Sequence, residues 1–265
     1  MRVCSRFPLR GFGLIELLIA LTLGLVMVMG VIQVFIASKQ SFVLQRAAGD
    51  LYEDARYLSG RLGQEIRMVN MFGCLDLARL PADIRSSIPV AFNDPIRYTV
   101  GSGVSILTLV TAVPNVERFT DSTSRSPSDY GARWLIVTNC RDTLDFRISA
   151  AGPLAVRPGD IVIPIRQMEY RFSKNAIQVR NNGAGNFQTL IDGVADLGIS
   201  FGLAASPAAR DVSGTYVNVL AVSDAARIRS VNLQWQLSDS PATPASGNIK
   251  AQNFKQVVAI RNRLE

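Results

Sequence analysis

The chain has 265 residues, 48% of them hydrophobic, a formal net charge of +7 and no histidine. That length accommodates one sizeable domain together with a membrane segment. The missing histidine excludes Ser–His and Cys–His nucleophilic catalysis and histidine-ligated metals together. Three cysteines, Cys4, Cys74 and Cys140, are too few for a four-cysteine metal site.

The positive charge is unevenly placed. Arg2, Arg6 and Arg10 fall in the first ten residues, where there is no acid, and without them 25 basic residues face 21 acidic ones. A nucleic-acid footprint needs a dense basic stripe, and the sequence carries none. Arg227/Arg229 and Arg261/Arg263 alternate along predicted strands and read as a solvated sheet face. No nucleic-acid partner is expected.

Residues 12–37 form an apolar run of 26 residues without proline, in which only Glu16, Thr22 and Gln33 are clearly polar. As a helix the run spans roughly 39 Å, enough to cross a hydrocarbon core of about 30 Å. The basic flank stays in the cytoplasm by the positive-inside rule, so the rest of the chain lies outside, in the periplasm of a Gram-negative cell. A cleaved secretory signal has an apolar core of about 7–15 residues and a small-residue cut site. This run is longer, and Ser38-Lys39-Gln40-Ser41-Phe42 offers no such site. A plain signal anchor accounts for span and orientation. It does not account for Gly11 at the basic–apolar junction, nor for Glu16, whose charge in the bilayer costs roughly 2.5–3.5 kcal/mol.

The segment Arg10-Gly11-Phe12-Gly13-Leu14-Ile15-Glu16-Leu17-Leu18 resembles the class III signal of type IV pilins and type II secretion pseudopilins. The resemblance implies that a prepilin peptidase cuts after Gly11, removing a cytoplasmic leader of residues 1–11. Phe12 then becomes the N-methylated first residue and Glu16 the acid at the fifth mature position, the hallmark of the family. Gly13 stands where Thr or Ser is commoner. Cleavage creates a positive α-amine at Phe12, which lies at i relative to Glu16 at i+4 on one helix face. The two charges are placed to pair within a subunit or between stacked subunits, and in the family this acid sets the register of assembly.

The helical pattern continues past the bilayer. Leu44, Ala48, Leu51, Ala55, Leu58, Leu62, Ile66 and Val69 recur at steps of three and four, with Arg46, Asp50, Glu53, Asp54, Arg56, Arg61, Glu65 and Arg67 between them. This is an apolar stripe on an amphipathic helix. The spacing predicts one helix over about 12–71, on the order of 90 Å long. Its transmembrane, assembly half is 12–37 and its periplasmic, amphipathic half 38–72, packed on the chain's own domain. Gly73 and Pro81 end it. Gly24, Gly30, Gly60 and Gly63 soften it; many pilins carry a proline in the membrane half, and here Gly24 and Gly30 stand in its place.

From residue 73 to 265 the pattern changes to short β-branched and aromatic runs between turn signals, which predicts a β-rich globular domain. Strands are expected at 96–100, 104–113, 134–139, 144–149, 161–172, 176–180, 194–203, 216–220, 228–237 and 254–261, and loops at 115–129 and 238–247. Gly183-Ala184-Gly185 reads as a hairpin. Asp192, Asp196 and Asp211 match no calcium-loop spacing. The fold class is α+β, a type IV pilin-like long helix packed on an antiparallel β-rich domain. No catalytic residue, metal or cofactor is expected. Cys74, at the end of the helix, and Cys140, at the end of a strand, read as a disulfide in an oxidising compartment, with two buried free thiols as the alternative.

"FGC" at 72–74, "RWLIVTNC" at 133–140, the Pro158-Gly159-Asp160 turn, "QTLIDGVADLGISFGL" at 188–203 and "VVAIRNR" at 257–263 together resemble the PilW group of minor pilins, relatives of the J-type pseudopilins. The resemblance implies a non-enzymatic minor pilin in the tip complex that primes type IV pilus assembly for twitching and adhesion. Implied partners are the prepilin peptidase, other minor pilins, the major pilin, the inner-membrane assembly platform and a tip adhesin. Implied locations are first the inner membrane, single-pass with the C-terminal domain in the periplasm, then the filament. The alternatives are a J-like minor pseudopilin of type II secretion and, behind it, a DNA-uptake pilin; an anchored periplasmic enzyme comes last.

Overall fold

The computed structural model describes residues 13–74, 77, 80–113, 117–142, 145–239 and 251–261. The leader 1–11, the Gly11–Phe12 junction, most of the 238–247 loop and Arg263 lie outside the described residues. The first element is helix α1 (Leu14–Arg67), with Glu16 in its first turn and Arg67 in its last, as the helix dipole favours. The chain divides into two compact units, Met1–Gly49 and Asp50–Glu265. In the first unit every described residue from 13 to 46 is exposed. An apolar surface of this extent does not stay in water, and α1 contains a stretch of mean hydropathy 2.5, long and apolar enough to cross a membrane.

The second unit buries the other end of the stripe. Leu51, Ala55, Leu58, Leu62 and Ile66 all face inward, and Leu58 and Ile66 are fully buried. The helix ends at Arg67, four residues short of the predicted end. Val69 instead pairs as an antiparallel bridge with Thr111, and the Asn70 N–H donates to the Val110 carbonyl at 3.5 Å. Asn70 takes a left-handed φ of 64°, a conformation that asparagine tolerates at helix ends. Strand pairing thus takes the backbone that periodicity assigns to the helix. Two short helices follow, α2 (Ala82–Ser86) and α3 (Val90–Asn93), entered through Pro81 and Pro89.

Thirteen strands are described: β1 (Ile96–Gly101), β2 (Val104–Ala112), β3 (Glu117–Arg118), β4 (Thr123–Arg125), β5 (Trp134–Thr138), β6 (Phe146–Ser149), β7 (Leu154–Val156), β8 (Ile161–Ser173), β9 (Ala176–Asn181), β10 (Gln188–Ile191), β11 (Val194–Leu203), β12 (Ile228–Leu237) and β13 (Gln252–Ala259). The fold is α+β, with antiparallel pairing in every sheet. The eight-stranded sheet runs β1-β2-β8-β5-β6, with β3 and β9 also on β8 and β10 on β9. The 13-residue β8 is its spine, pairing with β2 and β3 along one edge and with β5 and β9 along the other. A three-stranded sheet runs β11-β12-β13, and β4 pairs with β7.

The main core joins α1 to both larger sheets. Leu58, Leu62 and Ile66 meet Leu107, Leu109 and Met168 of the first sheet and Phe201, Val231 and Leu233 of the second. The opposite face of β5 and β8 holds a second core, where Phe72 stacks on Phe92 at 4.8 Å and Phe92 meets Trp134 edge-on at 5.2 Å. Residues on β5 alternate between this core and a third one built from Leu135, Val137, Val156 and Val162. That burial on both faces explains the continuous apolar run of 134–137.

Three expectations are corrected. Residues 216–220 form no strand; Val217 makes only an isolated bridge to Phe201. The expected loop 115–129 contains β3 and β4, whose two and three residues are too short to display an alternation. Arg229 does not face solvent. It is 3% exposed, and its guanidinium donates to the carbonyls of Pro207, Ala209, Ala226 and Ile228. Burial lowers its pKa. Arg227, beside it, donates to the Ala204 carbonyl and pairs with Asp224 at 3.3 Å. The two arginines pin the ends of the 204–227 connection to β12. Arg261 is exposed, as expected.

Cys74 and Cys140 form a disulfide, with Cα atoms 5.9 Å apart and a separation of 66 positions in sequence. It ties the exit of α1 to the end of β5. Replacing both by serine should lower the unfolding free energy of the chain by about 4 kcal/mol in the chain-entropy account. Urea denaturation in detergent measures this, and alkylation mass shifts should require prior reduction.

Candidate functional site

The first turn of α1 places Glu16. Gly13 is the capping residue, since its carbonyl accepts the N–H groups of Glu16 at 3.1 Å and Leu17 at 3.2 Å. Glu16 sits at the third helical position, where a carboxylate reaches back to the capping backbone. Its Oε2 accepts the Gly13 N–H at 3.2 Å. The carboxylate is therefore turned toward the start of the helix, where the dipole is positive. Among the described residues it has this one donor and no ion-pair partner. Gly11 and Phe12, the expected cut site and methylated residue, lie outside the described residues. Thr22 in the same run returns its hydroxyl to the Ile19 carbonyl at 2.9 Å, so it leaves no unmet donor in the span.

The second arrangement lies where α1 meets the eight-stranded sheet. Glu65 is 2% exposed, although its place among the polar residues of the stripe reads as surface. It stands three residues after Leu62 and seven after Leu58, on the buried face, and that spacing is the signal that identifies it. Arg166 of β8 reaches Glu65 Oε1 with its Nη2 at 2.7 Å. Thr111 of β2, directly opposite Arg166, donates its hydroxyl to Glu65 Oε2 at 3.4 Å. Arg61, one turn back on α1, lies 3.6 Å from Glu65 Oε1 and donates to the Tyr170 hydroxyl of β8 at 3.3 Å. Helix and sheet are thus joined at one point by complementary charge. Burial, with help from the Glu65 carboxylate, pushes the Tyr170 phenol up to about 12, against a smaller opposing effect of Arg61.

Among the described residues no three carboxylates or cysteines converge in a way that would hold a metal ion. Comparison of the chain with protein-family models, with curated proteins and with solved structures found no match.

Two outcomes follow from the buried network. Glu65→Ala removes a buried carboxylate and leaves Arg166, about a quarter exposed, without its ion-pair partner; it should destabilise the second unit by about 1–3 kcal/mol, read by urea denaturation against the unchanged Glu53→Ala. The Tyr170 phenol also makes stability fall at high pH. The unfolded chain releases this proton near pH 10, whereas the folded chain keeps it to about pH 12. Stability is complete below pH 10 and drops between 10 and about 12, by about 2–3 kcal/mol in total. Tyr170→Phe should flatten that part of the profile.

Proposed function

We propose that the chain is a PilW-like minor pilin. It is a non-enzymatic subunit that joins the priming and tip complex of a type IV pilus. The observation that carries this reading is Glu16. It is the one charged residue of an apolar span, placed in the first helical turn, with its carboxylate turned back onto the Gly13 N–H. The long helix followed by an antiparallel domain supports the reading, as does the Cys74–Cys140 bond, which suits an oxidising compartment.

The mechanism follows from the charge. In lipid a lone carboxylate is costly, and the Gly13 N–H offsets only part of that cost. Prepilin peptidase cleavage after Gly11 frees a positive amine at Phe12, and pairing of this amine with Glu16, within or between subunits, removes the remaining penalty. A subunit in the wrong axial register leaves both charges unpaired in a low-dielectric bundle, so the pair selects register. The arginines of residues 1–10 hold the leader in the cytoplasm until the cut. The globular unit then stands in the periplasm and is carried outward with the filament.

Deletion of the gene should abolish surface pili and twitching while secretion continues; lost secretion with intact pili identifies a J-like pseudopilin instead. Glu16→Ala should leave leader cleavage complete, seen as the mass of the processed chain, but reduce incorporation into sheared filaments by about tenfold or more. Normal incorporation of that variant would sink the docking role.

A further inference from the structure

The three-stranded sheet has two edges, and the fold treats them differently. At the β11 edge the irregular 204–227 connection takes up outward backbone groups. Phe201 and Val217 exchange N–H to carbonyl bonds at 2.8 and 3.0 Å, and the Ser213 N–H donates to the Leu203 carbonyl at 2.7 Å. At the opposite edge β13 has β12 on one side and, among the described residues, no strand on the other. The Ile260 N–H donates to the Arg229 carbonyl at 2.9 Å, and the β12–β13 register runs unbroken from Ala259 back to Gln252. In an antiparallel pair such bonds come at every second residue. Phe254, Gln256 and Val258 therefore bond to β12, whereas Asn253, Lys255, Val257 and Ala259 turn their N–H and C=O groups outward. An open edge of this length is a template for one more strand.

A cavity of about 300 Å³ opens between β13 and α1. Gly60 and Gly63 of α1, with Met68 and Met71 after it, line one side, and Gln256 of β13 lines the other. Gly63 is what lets the strand approach, since a Cβ there would stand 3.0 Å from Gln256 Nε2. Gln256 Oε1 is buried without a hydrogen-bond partner, an unmet acceptor that an incoming N–H would satisfy. Arg67, in the last turn of α1, and Arg261, just beyond β13, line the same cavity, and no acid does. Both arginines are exposed, and neither has an ion-pair or hydrogen-bond partner among the described residues.

We propose that this edge takes an extended, acidic segment of a partner protein as an added strand beside β13, with its carboxylates on Arg67 and Arg261. Backbone pairing supplies the affinity, and the two guanidinium groups select an acidic sequence. Met68 and Met71 adapt to apolar side chains of varied shape on the inner face of the segment. Lys255 is exposed on the other face of β13 and adds to the positive field, so a basic segment is repelled. This contact goes beyond the filament reading. It requires neither cleavage at Gly11 nor the Glu16 charge, so the two ideas fail separately.

The test is fluorescence anisotropy with the full chain in a non-ionic detergent. The probe is a peptide as long as β13, eight residues, that alternates glutamate and valine, is blocked at both ends and carries a neutral dye. It should bind saturably at about 20 mM salt and about tenfold or more weakly at about 300 mM. Lysine in place of glutamate should remove binding by reversing the charge. Methylation of the peptide's backbone nitrogens should remove it by deleting the donors that pair strands. Arg67→Gln with Arg261→Gln should weaken binding by about tenfold or more. Val257→Pro deletes one outward N–H and sets a ring where the added strand lies, on the side of an edge strand that tolerates proline, and should weaken binding to a similar degree. Glu16→Ala should bind like wild type. The unfolding transition checks that each variant folds, and the methylated peptide decides should Val257→Pro not fold. The proposal is overturned if the acidic peptide does not bind, if the lysine or methylated peptide binds as well, or if the arginine variant or a folded Val257→Pro binds as wild type does. It is overturned in favour of a second copy at this edge if wild type dimerises in sedimentation velocity and Val257→Pro does not.

Discussion

The contact between Glu65 and Arg166 is the point on which the arrangement of the second unit turns. Apolar packing alone leaves a helix free to rotate or slide by a side chain, because one leucine fits a groove about as well as another. A buried carboxylate has no such freedom. Away from Arg166 and Thr111 it loses its partners in a place where water cannot replace them. Glu65 therefore fixes both the rotation and the axial position of α1 on β2 and β8. The Val69–Thr111 bridge continues the same constraint by one more residue, and it is the reason the helix stops at Arg67.

The apolar residues of α1 have two different surroundings along one helix. From Leu51 to Ile66 it is covered by sheet residues; from 13 to 46 it is exposed on all sides. The two parts differ in their polar faces. Beyond Arg46 the stripe alternates with charged residues, which a protein core on one side and water on the other require. Before residue 38 the helix is apolar all round apart from Glu16, Thr22 and Gln33, the composition that a membrane span requires. The two charged features have opposite logic. Glu65 is satisfied inside its own unit and holds it together, whereas Glu16 accepts a single backbone N–H among the described residues.

Much of this architecture was legible because it rests on local period. Strands β11 and β12 fall on their predicted residues, since 231–237 alternates strictly and its partner strand is bounded by Gly193 and by the small residues after Leu203. The pairing of Cys74 with Cys140 was legible from their positions at element ends. The short strands β3, β4, β7 and β10 were not, because two to four residues contain too little pattern to register. Arg229 was misread for a related reason. A strand position announces which face it shares with its neighbours, but the irregular 204–227 connection that folds over that face, and supplies the carbonyls, has no periodic signature.

The sequence by itself determined an apolar helix long enough to cross a membrane, the placement of one acid in its first turn, the amphipathic continuation and the β-rich remainder, because each of these is a statement about residues near one another along the chain. Tertiary structure alone decided where the helix yields to a strand bridge, that Glu65 meets Arg166 and Thr111, and which charged residues share a face of the eight-stranded sheet. Those depend on contacts between segments as far apart as Glu65 and Arg166, 101 residues in sequence. A local pattern records which side chains prefer burial; only the assembled sheet settles which polar groups are carried in with them and what they then meet.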